Sequence, residues 1–157
     1  MASTATKSKA AREATALLRA DHKHVSNLFN QYQKAQSANE KSALAADICK
    51  ELTVHAQIEE EIFYPAVNKA LKDHELVPEA TVEHATMKSL IAQLEGGNTP
   101  DEDMFDAKMT VLSEYVKHHV KEEQNEMFPK ARATNLNMKE LGALLAARKD
   151  ELLAKRK

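Results

Sequence analysis

With 157 residues, 22 basic and 24 acidic side chains and a formal net charge of -2, the chain suits one domain. It carries neither the basic footprint of a nucleic-acid binder nor an acidic tail. Three glycines and four prolines among many Ala, Leu, Lys and Glu are the usage of an almost entirely helical protein. No apolar run approaches the roughly 20 residues that span a bilayer. The single Cys49 excludes an internal disulfide framework and fits a reducing compartment, so a cytoplasmic location is expected.

Residues 1–9, rich in Ala, Ser, Thr and Lys without the apolar segment of a secretory signal, read as a flexible tail. Apolar periodicity then predicts a first helix from about Ala10 to Gln36, with Leu17, Leu18, Val25, Leu28, Phe29 and Tyr32 inward. Ser37 or Asn39 caps a second helix that runs past Leu52, Ile58 and Ile62 to Pro65, which is expected to kink or end it. After a loop around Lys72 to Val77, Pro78 opens a third helix, closed by Gly96-Gly97. Thr99-Pro100-Asp101-Glu102 starts a fourth, which carries Met104, Met109, Leu112, Tyr115 and Val116 and meets Pro129. Asn135 or Asn137 caps a last helix to about Leu153, with Leu141, Leu144, Leu145 and Leu152 as its apolar residues. The expected fold is all-α: an up-down antiparallel four-helix bundle over 10–134, with an additional C-terminal helix, 135–157, packed on it or extending it.

The two halves repeat each other at their least common residues. Asp21-His22-x2-Val25-x2-Leu28-Phe29 has the layout of Glu83-His84-x2-Met87-x2-Leu90-Ile91. His55-x3-Glu59-x3-Phe63-Tyr64-Pro65 returns as His119-x3-Glu123-x3-Met127-Phe128-Pro129. The offsets, 62 and 64 residues, differ by an amount a loop absorbs.

Residues four apart on a helix lie roughly 6 Å apart along the axis and on one face. His55 and Glu59 therefore aim at one point, as do His119 and Glu123. Leu52 and Val116, each three residues earlier, put both pairs on apolar stripes and so inside. A lone inward histidine is usually a hydrogen-bonded core residue. A buried carboxylate, however, costs several kcal/mol unless a cation compensates it. The duplicated set His22, His55, Glu59, His84, His119 and Glu123 makes sense around metal. Imidazole and carboxylate without thiolate suit iron, manganese or zinc, and a symmetric carboxylate pair can bridge two ions.

These motifs, from about Ala16 to Lys130, resemble the hemerythrin family in its bacterial HHE cation-binding branch. The carriers are Asp21-His22, His55 to Glu61 with Phe63-Tyr64-Pro65, Glu83-His84, and His118 to Glu123 with Met127-Phe128-Pro129. The resemblance implies a four-helix bundle with two iron ions, oxo- or hydroxo-bridged and without haem, that meets O2, peroxide or nitric oxide. It places terminal ligands at His22, His55, His84 and His119 and bridging carboxylates at Glu59 and Glu123. Where oxygen-carrying members have a further histidine four residues after the third-helix ligand, this chain has Lys88, and His119-x3-Glu123 replaces their His-x4-Asp. Such a site is expected to be more symmetric and more open, favouring peroxide or nitric oxide chemistry, catalase-like or nitric oxide peroxidase turnover included, iron handling or sensing.

His118-x3-Glu122 has the same spacing, but the repeat favours His119 and Glu123, because His55 and His119 both stand ten residues before a proline. His24 and His74 read as solvated, and Glu60, Glu61, Glu122 and Glu126 as wet helix faces. Tyr115, one turn before His119, is either a core aromatic or a further contact to the site. Cys49 packs as a small apolar residue. The function expected is a di-iron protein acting on small oxidants in oxidative or nitrosative stress or iron homeostasis, with no nucleic acid and no membrane as partner. The alternatives are a non-catalytic iron-binding or sensing module working through an unidentified protein partner, and a bundle with a structural metal such as zinc.

Overall fold

In the computed structural model, which describes residues 12–72, 74–96 and 103–156, all the secondary structure is helical. The first helix, α1 (Ala14–Lys34), starts where the Glu13 carboxylate accepts from the backbone N–H groups of Thr15 and Ala16, at 2.8 and 3.0 Å. Arg132 closes on the same carboxylate at 2.8 Å. The Ser37 hydroxyl, rather than Asn39, caps α2 (Ala38–Ile58) by accepting from Glu40 N–H at 3.1 Å.

The second helix does not stop at its proline. A π-turn, Glu59–Phe63, carries the chain into α3 (Tyr64–Ala70), with Tyr64 N–H bonded to Glu59 C=O five residues back. The second half repeats the device: α5 (Asp103–Glu122) runs through a π-turn, Glu123–Met127, into α6 (Phe128–Arg132). In each case a proline follows one residue later, at Pro65 and Pro129. A proline ring clashes with the carbonyl four residues back and donates no hydrogen bond, and a turn widened by one residue accommodates both demands. Between the halves, α4 (Leu76–Glu95) begins two residues before Pro78, which sits in its first turn where no N–H is needed. The tail 1–9, Gly97 and the start signal Thr99 to Glu102 lie outside the described residues. Asn137 caps α7 (Met138–Lys155), its side-chain oxygen accepting from Glu140 N–H at 3.1 Å.

α1 packs on α2, α4 on α5, and α2 on α4, forming the up-down bundle. The fifth long helix, α7, lies against α1, α2 and the first π-turn. Gly142 permits its close approach, because a Cβ there would collide with the Arg12 carbonyl oxygen and come within 2.9 Å of the Glu13 carbonyl carbon. Arg148 to Glu61 at 2.7 Å and Lys149 to Asp21 at 2.5 Å fasten the same helix. Among the described residues no helix is long and apolar enough to cross a membrane.

The apolar interior is divided. One cluster gathers Leu17, Leu18, Ile58, Phe63, Val67, Phe128 and Leu145, and the other Val25, Phe29, Ile48, Leu52, Met87, Ile91, Met109 and Leu112. Each large side chain fully buried this way contributes about 1.5–3 kcal/mol. Met104 and Leu144, among the apolar residues read on the fourth and last helices, are exposed: each falls on the outer side of a helix whose apolar stripe is already complete. Between the clusters lies a buried layer of histidine and glutamate.

Gly142→Ala is expected to cost about 1–3 kcal/mol through overpacking at the α1–α7 contact, read as a lowered denaturant midpoint; an unchanged midpoint would refute the close approach. Burial pushes the Cys49 thiol up to about 12. At pH 8 it should therefore resist a thiol reagent in the folded protein and react only on unfolding.

Candidate metal centre

Six side chains from four helices and the two π-turns meet in the polar layer: His22 from α1, His55 from α2, Glu59, His84 from α4, His119 from α5, and Glu123. All are buried, with Glu59 at 0% and Glu123 at 2% exposure. The atoms fall into two overlapping sets able to hold a metal ion: His22, His55, Glu59 and Glu123, and Glu59, His84 and His119. Glu59 Oε1 lies 3.3 Å from His55 Nε2 and 3.2 Å from His84 Nε2. Glu123 divides its oxygens, with Oε1 3.1 Å from His22 Nε2 and Oε2 3.4 Å from His119 Nε2. Both carboxylates thus stand between the two histidine pairs.

Each imidazole is held from behind. His55 Nδ1 donates to Asp21 at 2.9 Å, His84 Nδ1 to Glu60 at 2.8 Å, His119 Nδ1 to Glu83 at 2.6 Å and His22 Nδ1 to the Gln124 amide oxygen at 2.8 Å. Because these partners accept, the neutral ring keeps its Nε2 lone pair for the centre, the orientation that metal-binding histidines take. Asp21 and Glu83 each precede a centre histidine and orient the other histidine of the same half. Glu60 and Gln124 each follow a centre glutamate and orient a histidine of the opposite half. Glu60 is therefore not a wet-face residue; Lys88 steadies it at 2.6 Å. The sequence signal for these four was the acid before each histidine and the polar residue after each glutamate.

The spacing rule passes over Tyr64. Five residues after Glu59, it would point about 140° away on a regular α-helix. The π-turn swings it inward, and its hydroxyl, in a side chain 2% exposed, donates to Glu123 Oε2 at 2.5 Å. The same oxygen lies 3.2 Å from Glu59 Oε1, His84 Nε2 and His119 Nε2. The matching residue of the other half, Phe128, stacks on His22 with planes 4° apart. The centre is consequently less symmetric than expected. Tyr115, by contrast, is exposed and reaches neither core nor centre. His118 is a surface residue 3.0 Å from Glu122, and His24 pairs outside with Glu51 at 3.7 Å. His74, Glu61 and Glu126 are exposed.

The electrostatics call for cations. His22 Nε2, His55 Nε2, Glu59 Oε2 and Glu123 Oε1 are buried without a hydrogen-bond partner, although nitrogens and oxygens there approach at contact distance. One phenolic proton cannot satisfy four lone-pair neighbours either. Burial opposes charge on Glu123, yet His119 and His22 hold its carboxyl well below the usual range. Burial opposes charge on His119 too, but Glu123 raises it to about 9. Burial, then Glu123 and Glu59, push the Tyr64 phenol well up. In the metal-free protein, protons occupy the place that positive ions would take, so the residues present fit a metal centre.

An apolar cavity of about 30 Å3 meets the four imidazoles from the side of the second cluster, walled by Val25, Leu52, Met87, Ile91, Val116 and Val120, with Lys88 at its edge. That volume admits one or two water-sized molecules.

Comparison with known proteins gives three findings. Residues 13–131 match the family model of the hemerythrin HHE cation binding domain. A protein of Nostoc sp. called DNA nickase is 30% identical over 112 residues, which are 71% of this chain but 31% of that protein, so the chain spans about a third of its relative's length. The crystal structure of a hemerythrin HHE cation binding domain-containing protein from Mycobacterium kansasii superposes with a TM-score of 0.79 over 92% of this chain and 89% of that one. At 24% identity, that likeness speaks for the fold alone.

A raised imidazole stabilises the metal-free fold fully below its unfolded value, 6.5, and loses that contribution as pH climbs through about 9. Metal-free protein is therefore expected to lose stability between these values and to release protons on metal uptake at pH 7. Denaturation midpoints that stay level across the window, with no proton release, would contradict this.

Proposed function

The chain belongs to the hemerythrin HHE cation-binding family, and on that premise we propose that it holds a pair of iron ions and binds or turns over O2, peroxide or nitric oxide. The observation that carries this reading is the convergence of four unpartnered buried donor atoms, two of them on histidines that line an apolar cavity. His22 and His55 would hold one ion and His84 and His119 the other, with Glu59 and Glu123 between them. Tyr64, close to His84 and His119, favours the second ion as a further ligand. Iron so held supplies one-electron chemistry and Lewis acidity towards small oxygen and nitrogen species.

The chain's own residues shape what reaches that centre. Away from the imidazoles the cavity walls are mostly aliphatic, Val25, Leu52, Met87, Ile91, Val116 and Val120, and favour a small neutral guest. Asp21, Glu60, Glu83 and Gln124 fix the rings, so that little reorganisation accompanies ligand arrival. In the metal-free protein the Tyr64 hydroxyl holds a proton 2.5 Å from Glu123, and ligation to iron would release it. These features support a role in oxidative or nitrosative stress or in iron homeostasis. Nicking of DNA is not carried over, since most of that relative's length has no counterpart in this chain.

A second reading, a module that reports iron or oxygen status to a protein partner, draws on α7. This helix lies beyond the family span and reaches Asp21, behind His55, through Lys149.

Elemental analysis of protein from iron-replete cells is expected to find two irons per chain; far less would sink the proposal. A tyrosinate-to-iron absorption band should vanish in Tyr64→Phe, which keeps the fold and the iron content. Peroxide removal should fall in Glu123→Ala, and equal rates would remove turnover from the reading.

A further inference from the structure

Outside the buried centre, another set of metal-type donors converges on the surface: Glu83 of α4 with His118 and Glu122 of α5. His118 Nε2 stands 3.0 Å from Glu122 Oε1 and 3.6 Å from Glu83 Oε2, and the His118 side chain is 63% exposed. Glu83 is shared between surface and interior, since its other oxygen accepts from His119 Nδ1.

Glu83 and Glu122 of this cluster also line a narrow crevice that reaches His119 and Glu123 within, with Leu76, Ala80 and Met127 completing its walls. Glu123 is 2% exposed, and its Oε1 has no hydrogen-bond partner. Three carboxylates and no lysine or arginine line this passage. The opposite approach, the apolar cavity, has walls of aliphatic side chains ahead of the imidazoles, the Lys88 ammonium at its edge, and one carboxylate, Asp21, already engaged by His55 and Lys149. The two approaches to the centre thus have opposite chemistry, one suited to a small neutral molecule and one to a cation.

We propose that Glu83, His118 and Glu122 form a transient site for a divalent cation, through which ferrous iron reaches the buried centre along the acidic crevice. The inference rests on the di-iron reading. One imidazole and two carboxylates suit ferrous iron, and their exposure leaves water in the remaining positions, so the ion is held loosely and moves on. Carboxylates lining a low-dielectric cleft focus the field on an approaching cation and raise its arrival rate.

The test mixes metal-free full-length protein with ferrous iron without oxygen, quenches with a chelator at timed intervals and measures bound iron. Glu83 stays intact because it orients His119. The double variant His118→Ala with Glu122→Gln should load about ten-fold more slowly, the low end of what such focusing contributes, and still reach the wild-type iron content. His24→Ala with Glu51→Gln, an imidazole–carboxylate pair on the other side of the bundle, should load at the wild-type rate. The exposed single variant His118→Ala guards against a folding defect in the double variant and should be slowed as well. Equal rates in wild type and the His118 variants, or equal slowing in the His24 control, would overturn the route. Loss of final iron content would overturn it too, by assigning these residues to the centre itself. A wild type that takes up no iron would instead bring down the di-iron reading on which the route depends.

Discussion

Two carboxylates and four imidazoles buried between apolar layers impose the condition that the rest of this structure answers. Glu59 and Glu123 are out of water, and moving even one such charge inside costs several kcal/mol unless positive charge is supplied on the spot. Protons on His55 and His119 supply it in the metal-free chain, and metal cations would supply it directly at the buried carboxylates. The position of every element near the middle of the bundle follows. The helices bring one histidine each, the π-turns bring the glutamates, and the outward ring nitrogens are tied to accepting oxygens, three of carboxylates and one of the Gln124 amide. The apolar clusters on either side keep water from relieving the charge in any other way.

The π-turns show how local backbone chemistry shapes the site. Each resolves a conflict between a proline and a continuing helix. Each also changes which residue faces inward, bringing in the side chain five positions after the glutamate. In one half that side chain is Tyr64, and in the other it is Phe128. The two half-sites therefore differ at this position by a hydroxyl, and that hydroxyl lies against His84 and His119, while Phe128 stacks on His22.

The helices and two of their caps, Ser37 and Asn137, were legible in the sequence, because apolar periodicity and capping residues act over a few neighbours; the Glu13 cap was not. The six centre residues were legible because the chain writes the pattern twice. Tyr64 was not, since a regular helix turns it away and the widened turn is a property of the hydrogen-bond ladder. Tyr115 erred the other way. The buried stripe of α5 runs through Leu112, Val116 and His119, and the residue four before His119 falls on its outer edge. Glu60 read as solvated because its partner, His84, is far away in sequence and near only in the folded bundle.

The orienting contacts carry one more implication. Glu60 of the first half steadies His84 of the second, Gln124 of the second steadies His22 of the first, and each central glutamate stands between histidines of both halves. Neither half of the chain holds a finished centre, because each lends the other a carboxylate and a ring support. This reciprocity is that of an isologous pair, in which one patch meets its own copy across a two-fold axis. The bundle has the internal logic of a homodimer whose two subunits are joined in a single polypeptide. Within one polypeptide the two halves can differ, as they do at Tyr64 and Phe128 and at Glu60 and Gln124, which a true homodimer could not.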